Sequence, residues 1–156
     1  MNRRTMWAGA AVVTVALAVV GAVRLGRAGA AAGQGPKMVV YKQETCGCCN
    51  EWIEHVRAAG FRVAAKNRED LVDIKQRYGI TGTLASCHTA VVEGYAVEGH
   101  VPADVIQRLL RERPEVAGIA VPGMPQGSPG MEGPVHERYN VIAFDGRGGM
   151  QVYESR

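Results

Sequence analysis

The sequence predicts a single α/β domain of thioredoxin-like type, a mixed sheet flanked by helices, and three observations predict it. An apolar strand-like run leads into Cys46-Gly47-Cys48-Cys49, a helix-period pattern follows that motif at once, and the second half switches to the short alternating runs of a hairpin. Strand, cysteine motif, helix, strand, helix, hairpin, helix is the resulting order.

Met38 to Lys42 reads as a buried strand. Cys49, Trp52, Ile53 and Val56 then recur at helical spacing, with Glu51, Glu54 and Arg57 on the other side and Gly60 as a C-cap, so a helix is expected over about 48–59. Phe61 to Ala64 reads as a short strand. Asn67 is expected to cap a second helix that carries Leu71, Ile74 and Tyr78 and ends at Gly79. Ala90 to Val92 and Tyr95 to Glu98, joined by Glu93-Gly94, predict a hairpin. Pro102 opens a further helix whose apolar face is Val105, Ile106, Leu109 and Leu110. Residues 114–134 hold five of the seven prolines and are expected to form a long loop, neither helix nor central strand. Tyr139 to Phe144 and Gln151 to Tyr153 flank Asp145-Gly146-Arg147-Gly148-Gly149, the pattern of a C-terminal hairpin.

Three segments follow from composition: residues 1–32 as a signal peptide or N-terminal anchor, 33–36 as a linker, and 37–156 as the folded domain. Arg3 and Arg4 precede a run from Trp7 to Val23 that is apolar apart from Thr14, and Ala28-Gly29-Ala30 offers small residues for cleavage. The sequence therefore predicts export to the periplasm or another extracytoplasmic space. Retention at the inner membrane would use residues 7–23, which sit at the short limit for a spanning helix. The whole chain has 18 basic and 15 acidic residues, and the leader holds four of the basic ones and no acid. Without it the net charge is −1. No basic stripe with interleaved aromatics follows, so no nucleic-acid partner is expected.

All four cysteines lie beyond the leader: Cys46, Cys48 and Cys49 within four residues, and Cys87 in Ser86-Cys87-His88-Thr89. Structural disulfides alone fit this spacing poorly, because bridging near neighbours closes almost no loop. Cys46 and Cys49 form a C-x-x-C pair at a helix start, where amide dipoles favour a thiolate, which is the placement used by thiol-disulfide oxidoreductases. The extra Cys48 blurs two-cysteine exchange but adds a donor for a soft metal. Cu(I) suits such sulfurs best, and several ions sharing bridging thiolates relieve the crowding of adjacent Cys48 and Cys49. That crowding disfavours a single tetrahedral zinc, the competing ion. His88 and His100 are candidates for a metal shell or its support, against plain roles as a core histidine and a turn organiser. Met124 and Met131 are thioether candidates, against simple apolar cover. His55 and His136 are expected to be solvated.

Val40-Tyr41-Lys42, Cys46-Gly47-Cys48-Cys49, Trp52, Ser86-Cys87-His88-Thr89-Ala90, Gly94-Tyr95, Glu98-Gly99-His100-Val101-Pro102 and Val121-Pro122-Gly123-Met124-Pro125 through Gly130-Met131-Glu132 resemble one family. These are small exported metal-binding proteins long grouped as a domain of unknown function, among them the CopG copper-resistance proteins. The resemblance runs from about Lys37 to Tyr153. It implies a thioredoxin-like fold, a periplasmic location, and a cysteine-bridged cluster of copper ions linked to copper resistance, with Cys46, Cys48, Cys49 and Cys87 as the matching cysteines. The chain departs from the pattern at Gly79-Ile80-Thr81-Gly82, where related sequences often carry a proline; a proline facing the cysteine motif shapes the substrate groove of thioredoxin-like folds, so this counts against disulfide exchange.

The function expected is therefore an exported copper-binding protein that holds Cu(I), as a multinuclear thiolate cluster, in copper resistance or homeostasis. Copper ions are its first partner, and other periplasmic copper-handling proteins are the further partners this suggests. The alternatives are a periplasmic thiol-disulfide oxidoreductase using Cys46 and Cys49, and a zinc-stabilised interaction module.

Overall fold

The computed structural model describes residues 35–156, so the predicted leader and the first half of the linker lie outside the described residues. Ten elements follow in order: β1 (Lys37–Lys42), α1 (Gly47–Ala58), β2 (Arg62–Asn67), α2 (Val72–Arg77), β3 (His88–Val92), β4 (Tyr95–Glu98), α3 (Ala103–Glu112), β5 (Gly118–Ala120), β6 (Asn140–Phe144) and β7 (Met150–Ser155). The strands form one seven-stranded mixed sheet ordered β2-β1-β3-β4-β5-β6-β7, an α/β architecture. β1 runs parallel to β2 and antiparallel to β3, and β4 runs parallel to β5. None of the described helices is long and apolar enough to cross a membrane.

Strand alternation sends successive side chains to opposite faces and so divides the core. On one face Met38, Val40, Ala90, Val92, Val97 and Ile119 pack with Trp52, Ile53 and Val56 of α1 and Val105, Ile106 and Leu109 of α3. On the other, Ala96, Ala120 and Phe144 meet Ile80 and Leu84, which follow α2. The β3–β4 turn is tight because Glu93 and Gly94 both take positive φ, 46° and 91°, as a two-residue hairpin turn matched to strand twist requires.

Two expectations fail here. Asn67 does not cap α2: it ends β2, paired with Lys42, and the helix starts only after Leu71. Residues 118–120, inside the proline-rich stretch, form a central strand between β4 and β6. The prolines at 114 and 122 flank Gly118-Ile119-Ala120 without interrupting it, and Gly118 lets the strand close up on β4, since a Cβ there would stand 2.1 Å from the Ala96 carbonyl oxygen. At the departure from the family pattern, Gly79 packs on the Gly146 turn.

Candidate metal centre

Cys46 is the N-cap of α1, and Cys48 and Cys49 lie in its first turn, where unpaired helix amides create a partial positive charge. Cys87 immediately precedes β3, which the sheet sets antiparallel to β1 and so returns to the start of α1. Cys49 Sγ is 3.5 Å from Cys87 Sγ, Cys48 Sγ is 3.9 Å from Cys87 Sγ, and Cys46 Sγ is 3.6 Å from Cys48 Sγ. All four sulfurs lie within 4.8 Å of one another. Cys46 and Cys49 are joined as a disulfide with Cα atoms 5.4 Å apart, which leaves Cys48 and Cys87 as thiols. Burial, and then the neighbouring Cys48, push the Cys87 thiol up to about 12.

Two imidazoles stand on the far side of Cys87. His100 Nε2 is 3.1 Å from its sulfur and His88 Nδ1 is 3.4 Å, and the three donor atoms lie within 4.8 Å of one another. His100 donates Nδ1–H to the Pro129 carbonyl at 2.8 Å, which fixes the tautomer and leaves Nε2 as a lone pair toward Cys87. His88 is fully buried against Trp52, with ring centroids 4.4 Å apart, and its Nε2 has no hydrogen-bond partner among the described residues. Burial, with His100 and Lys75 adding repulsion, holds His88 neutral with its pKa well below the usual value. Burial also lowers His100.

The shell behind Cys87 is a buried ion pair that no motif announces. Glu98 is fully buried; its Oε1 accepts the Ser86 N–H at 2.6 Å and the Lys75 ammonium, and its Oε2 accepts the Thr89 hydroxyl at 2.6 Å. Lys75 also donates to the Ser86 carbonyl and to Thr89 Oγ1. α2, β3 and β4 are thereby tied to the residue before Cys87. The only sequence signals for this were an acidic residue in an otherwise apolar strand and a lysine on a short helix.

The proline-rich segment closes the other side as an ordered loop. Gly123 donates to the Ala85 carbonyl, Ser86 Oγ donates to the Gly123 carbonyl, and buried Ser128 donates Oγ–H to the Pro125 carbonyl. Gly130 takes a φ of +82° and lies so close to α1 that a Cβ would stand 2.7 Å from the Cys48 carbonyl oxygen. Met124 is exposed on this loop and Met131 is half-buried. His55, expected to be solvated, is half-buried: its Nε2 accepts the Ala103 N–H at 3.0 Å and so caps α3. His136 is exposed.

Residues 84–131 match the family described as "Protein of unknown function, DUF411", a stretch that holds Cys87, His88, His100, Met124 and Met131 but not the first cysteine motif. A search among curated protein sequences finds no match. Among solved structures, one of a copper resistance protein CopG (form 2) is 42% identical, covering 79% of this chain and 99% of that one, with a TM-score of 0.74. This chain belongs to the CopG family. A second CopG structure (form 1) is 43% identical over 78% of this chain and 98% of the other, with a TM-score of 0.73. The family agrees with the sequence resemblance, and the clustered cysteines make a site able to bind metal.

Proposed function

We propose that this chain is an exported copper-binding protein that, when reduced, holds Cu(I) through Cys46, Cys48, Cys49 and Cys87 as a multinuclear thiolate cluster and serves copper resistance by storing or redox-cycling the ion. The observation that carries the reading is the convergence of four sulfurs within 4.8 Å, one of them brought from 38 residues away. Thiolates are soft donors that select Cu(I), and sulfurs this crowded favour shared, bridging ligation over one tetrahedral zinc. The donor set fits copper in chemistry, and the CopG neighbours are named for copper resistance. Cys46 and Cys49 must first regain two electrons, because the thiolate and not the disulfide is the ligand.

The sheet order β2-β1-β3-β4, with α1 and α2 in the crossovers, supports the thioredoxin-like assignment, which β5 to β7 then extend. The basic n-region, apolar run and small-residue site of the leader support periplasmic export. Met124, on the outer loop, suits a relay thioether for incoming copper, and Met131 a second one.

The disulfide at the start of α1 favours one other reading, thiol-disulfide exchange by Cys46 and Cys49. Against it, Cys87 faces the pair where an exchange enzyme needs an open groove, and the Gly130 loop packs over α1. Metal analysis of reduced protein under anaerobic conditions tests the proposal. More than one Cu(I) per chain, displacing any zinc, is expected; a single retained Zn(II) with no gain from added Cu(I) would overturn it.

A further inference from the structure

The oxidised pair leaves behind a second donor set that the four-sulfur reading does not use. We propose that, while Cys46 and Cys49 are a disulfide, Cys87, His88 and His100 form a separate three-coordinate site for one copper ion, so that the redox state of the first motif selects between two sites sharing Cys87. The proposal rests on the reading above only for the identity of the metal.

Spacing is the first argument. Bonds of about 2.3 Å to sulfur and 2.0 Å to imidazole nitrogen, at the roughly 120° angles of a three-coordinate ion, place a sulfur and a nitrogen about 3.7 Å apart. The observed separations from Cys87 Sγ are 3.1 Å to His100 Nε2 and 3.4 Å to His88 Nδ1. The donors therefore need to open by only about 0.3–0.6 Å to admit an ion. Cys48 does not belong to this set: it groups with the other cysteines, not with the imidazoles.

Tautomer and burial are the second argument. His100 already donates Nδ1–H to a backbone carbonyl, the support that metal-bound histidines ordinarily have. His88 is fully buried, so Nδ1, the nitrogen it turns to Cys87, is shielded from water. Two neutral imidazoles and one thiolate make a donor set that copper proteins use in trigonal sites.

The switch itself balances. An external disulfide takes two electrons from the Cys46 and Cys49 thiolates, which join as S–S, and leaves as two thiolates. Cys87 and both histidines are untouched by that exchange.

The test uses full-length Cys46→Ser/Cys49→Ser protein, reduced and anaerobic, with Cu(I) alone as the probe. One Cu(I) per chain is expected, with both sulfur and imidazole nitrogen in its X-ray absorption spectrum. Adding His100→Ala should weaken Cu(I) by at least about tenfold in chelator competition and remove nitrogen scattering. Wild-type protein oxidised to two titratable thiols serves as the second preparation should the variant not fold. Failure to bind copper, or two-sulfur ligation through Cys48 and Cys87 without nitrogen, would overturn the proposal. If reduced wild type binds several ions while this form binds none, the present inference alone falls. If reduced wild type binds a single ion and this form still binds one through imidazole, the cluster alone falls.

Discussion

Glu98 accepts the backbone N–H of Ser86 at 2.6 Å, so a carboxylate buried in the sheet fixes the residue that precedes Cys87. Glu98→Gln should retain an acceptor for that amide yet leave Lys75, itself largely buried, without its counter-charge. Breaking one side of a buried pair costs about 3–5 kcal/mol. Urea denaturation should show a loss of that order, with weaker Cu(I) retention as Cys87 shifts. The double variant Glu98→Gln/Lys75→Met should regain part of the stability; no recovery would show that the two residues are not coupled.

Gly130→Ala should destabilise the protein by about 1–3 kcal/mol, because the residue holds φ +82° and its new methyl would press on the Cys48 carbonyl and the Trp52 amide. The loop would lift and the Pro129 acceptor of His100 would move with it. Thermal melting and amide exchange at residues 121–131 provide the check. An unchanged melting temperature would mean that the loop does not bear on α1.

His55 gives a pH dependence whose sign follows from its role as an acceptor. Burial depresses its folded pKa below 6.5, and only the neutral ring can accept the Ala103 N–H. A depressed folded pKa contributes stability that is present above the unfolded value of 6.5 and is lost as pH falls through the folded value. Wild type should therefore lose about 1 kcal/mol between pH 7.5 and acidic pH from this cap, and His55→Ala should be less stable at pH 7.5 but flatter across that interval. Parallel curves for the two proteins would contradict it.

Much of this was legible in the chain. β1, α1, α3 and both hairpins follow from apolar periods of 2 and 3.6, which read burial on one face directly. The compact cysteine motif marked the candidate metal site. β5 was hidden because three residues are too few to show a period, and its central place depends on pairing with β4 and β6. The Glu98–Lys75 pair spans 23 residues and obeys no local rule. The approach of His100 to Cys87 depends on the return of β4 beside β3, so a histidine that looked like a turn residue stands 3.1 Å from a sulfur.

Cys48→Ser separates cluster from exchange enzyme, since Cys48 is superfluous to a C-x-x-C pair and is 3.6 and 3.9 Å from two other sulfurs of the group. The variant should lose copper capacity while disulfide-reductase turnover with insulin stays negligible, as in wild type. Efficient wild-type turnover that the variant retains would favour the enzyme.

The most direct measurement of the central claim is X-ray absorption at the copper edge of fully reduced wild-type protein saturated with Cu(I). A cysteine-bridged cluster predicts sulfur-dominated ligation together with a short copper–copper vector, and the loss of that vector in Cys87→Ser. Sulfur ligation with no copper–copper vector at saturation would contradict it.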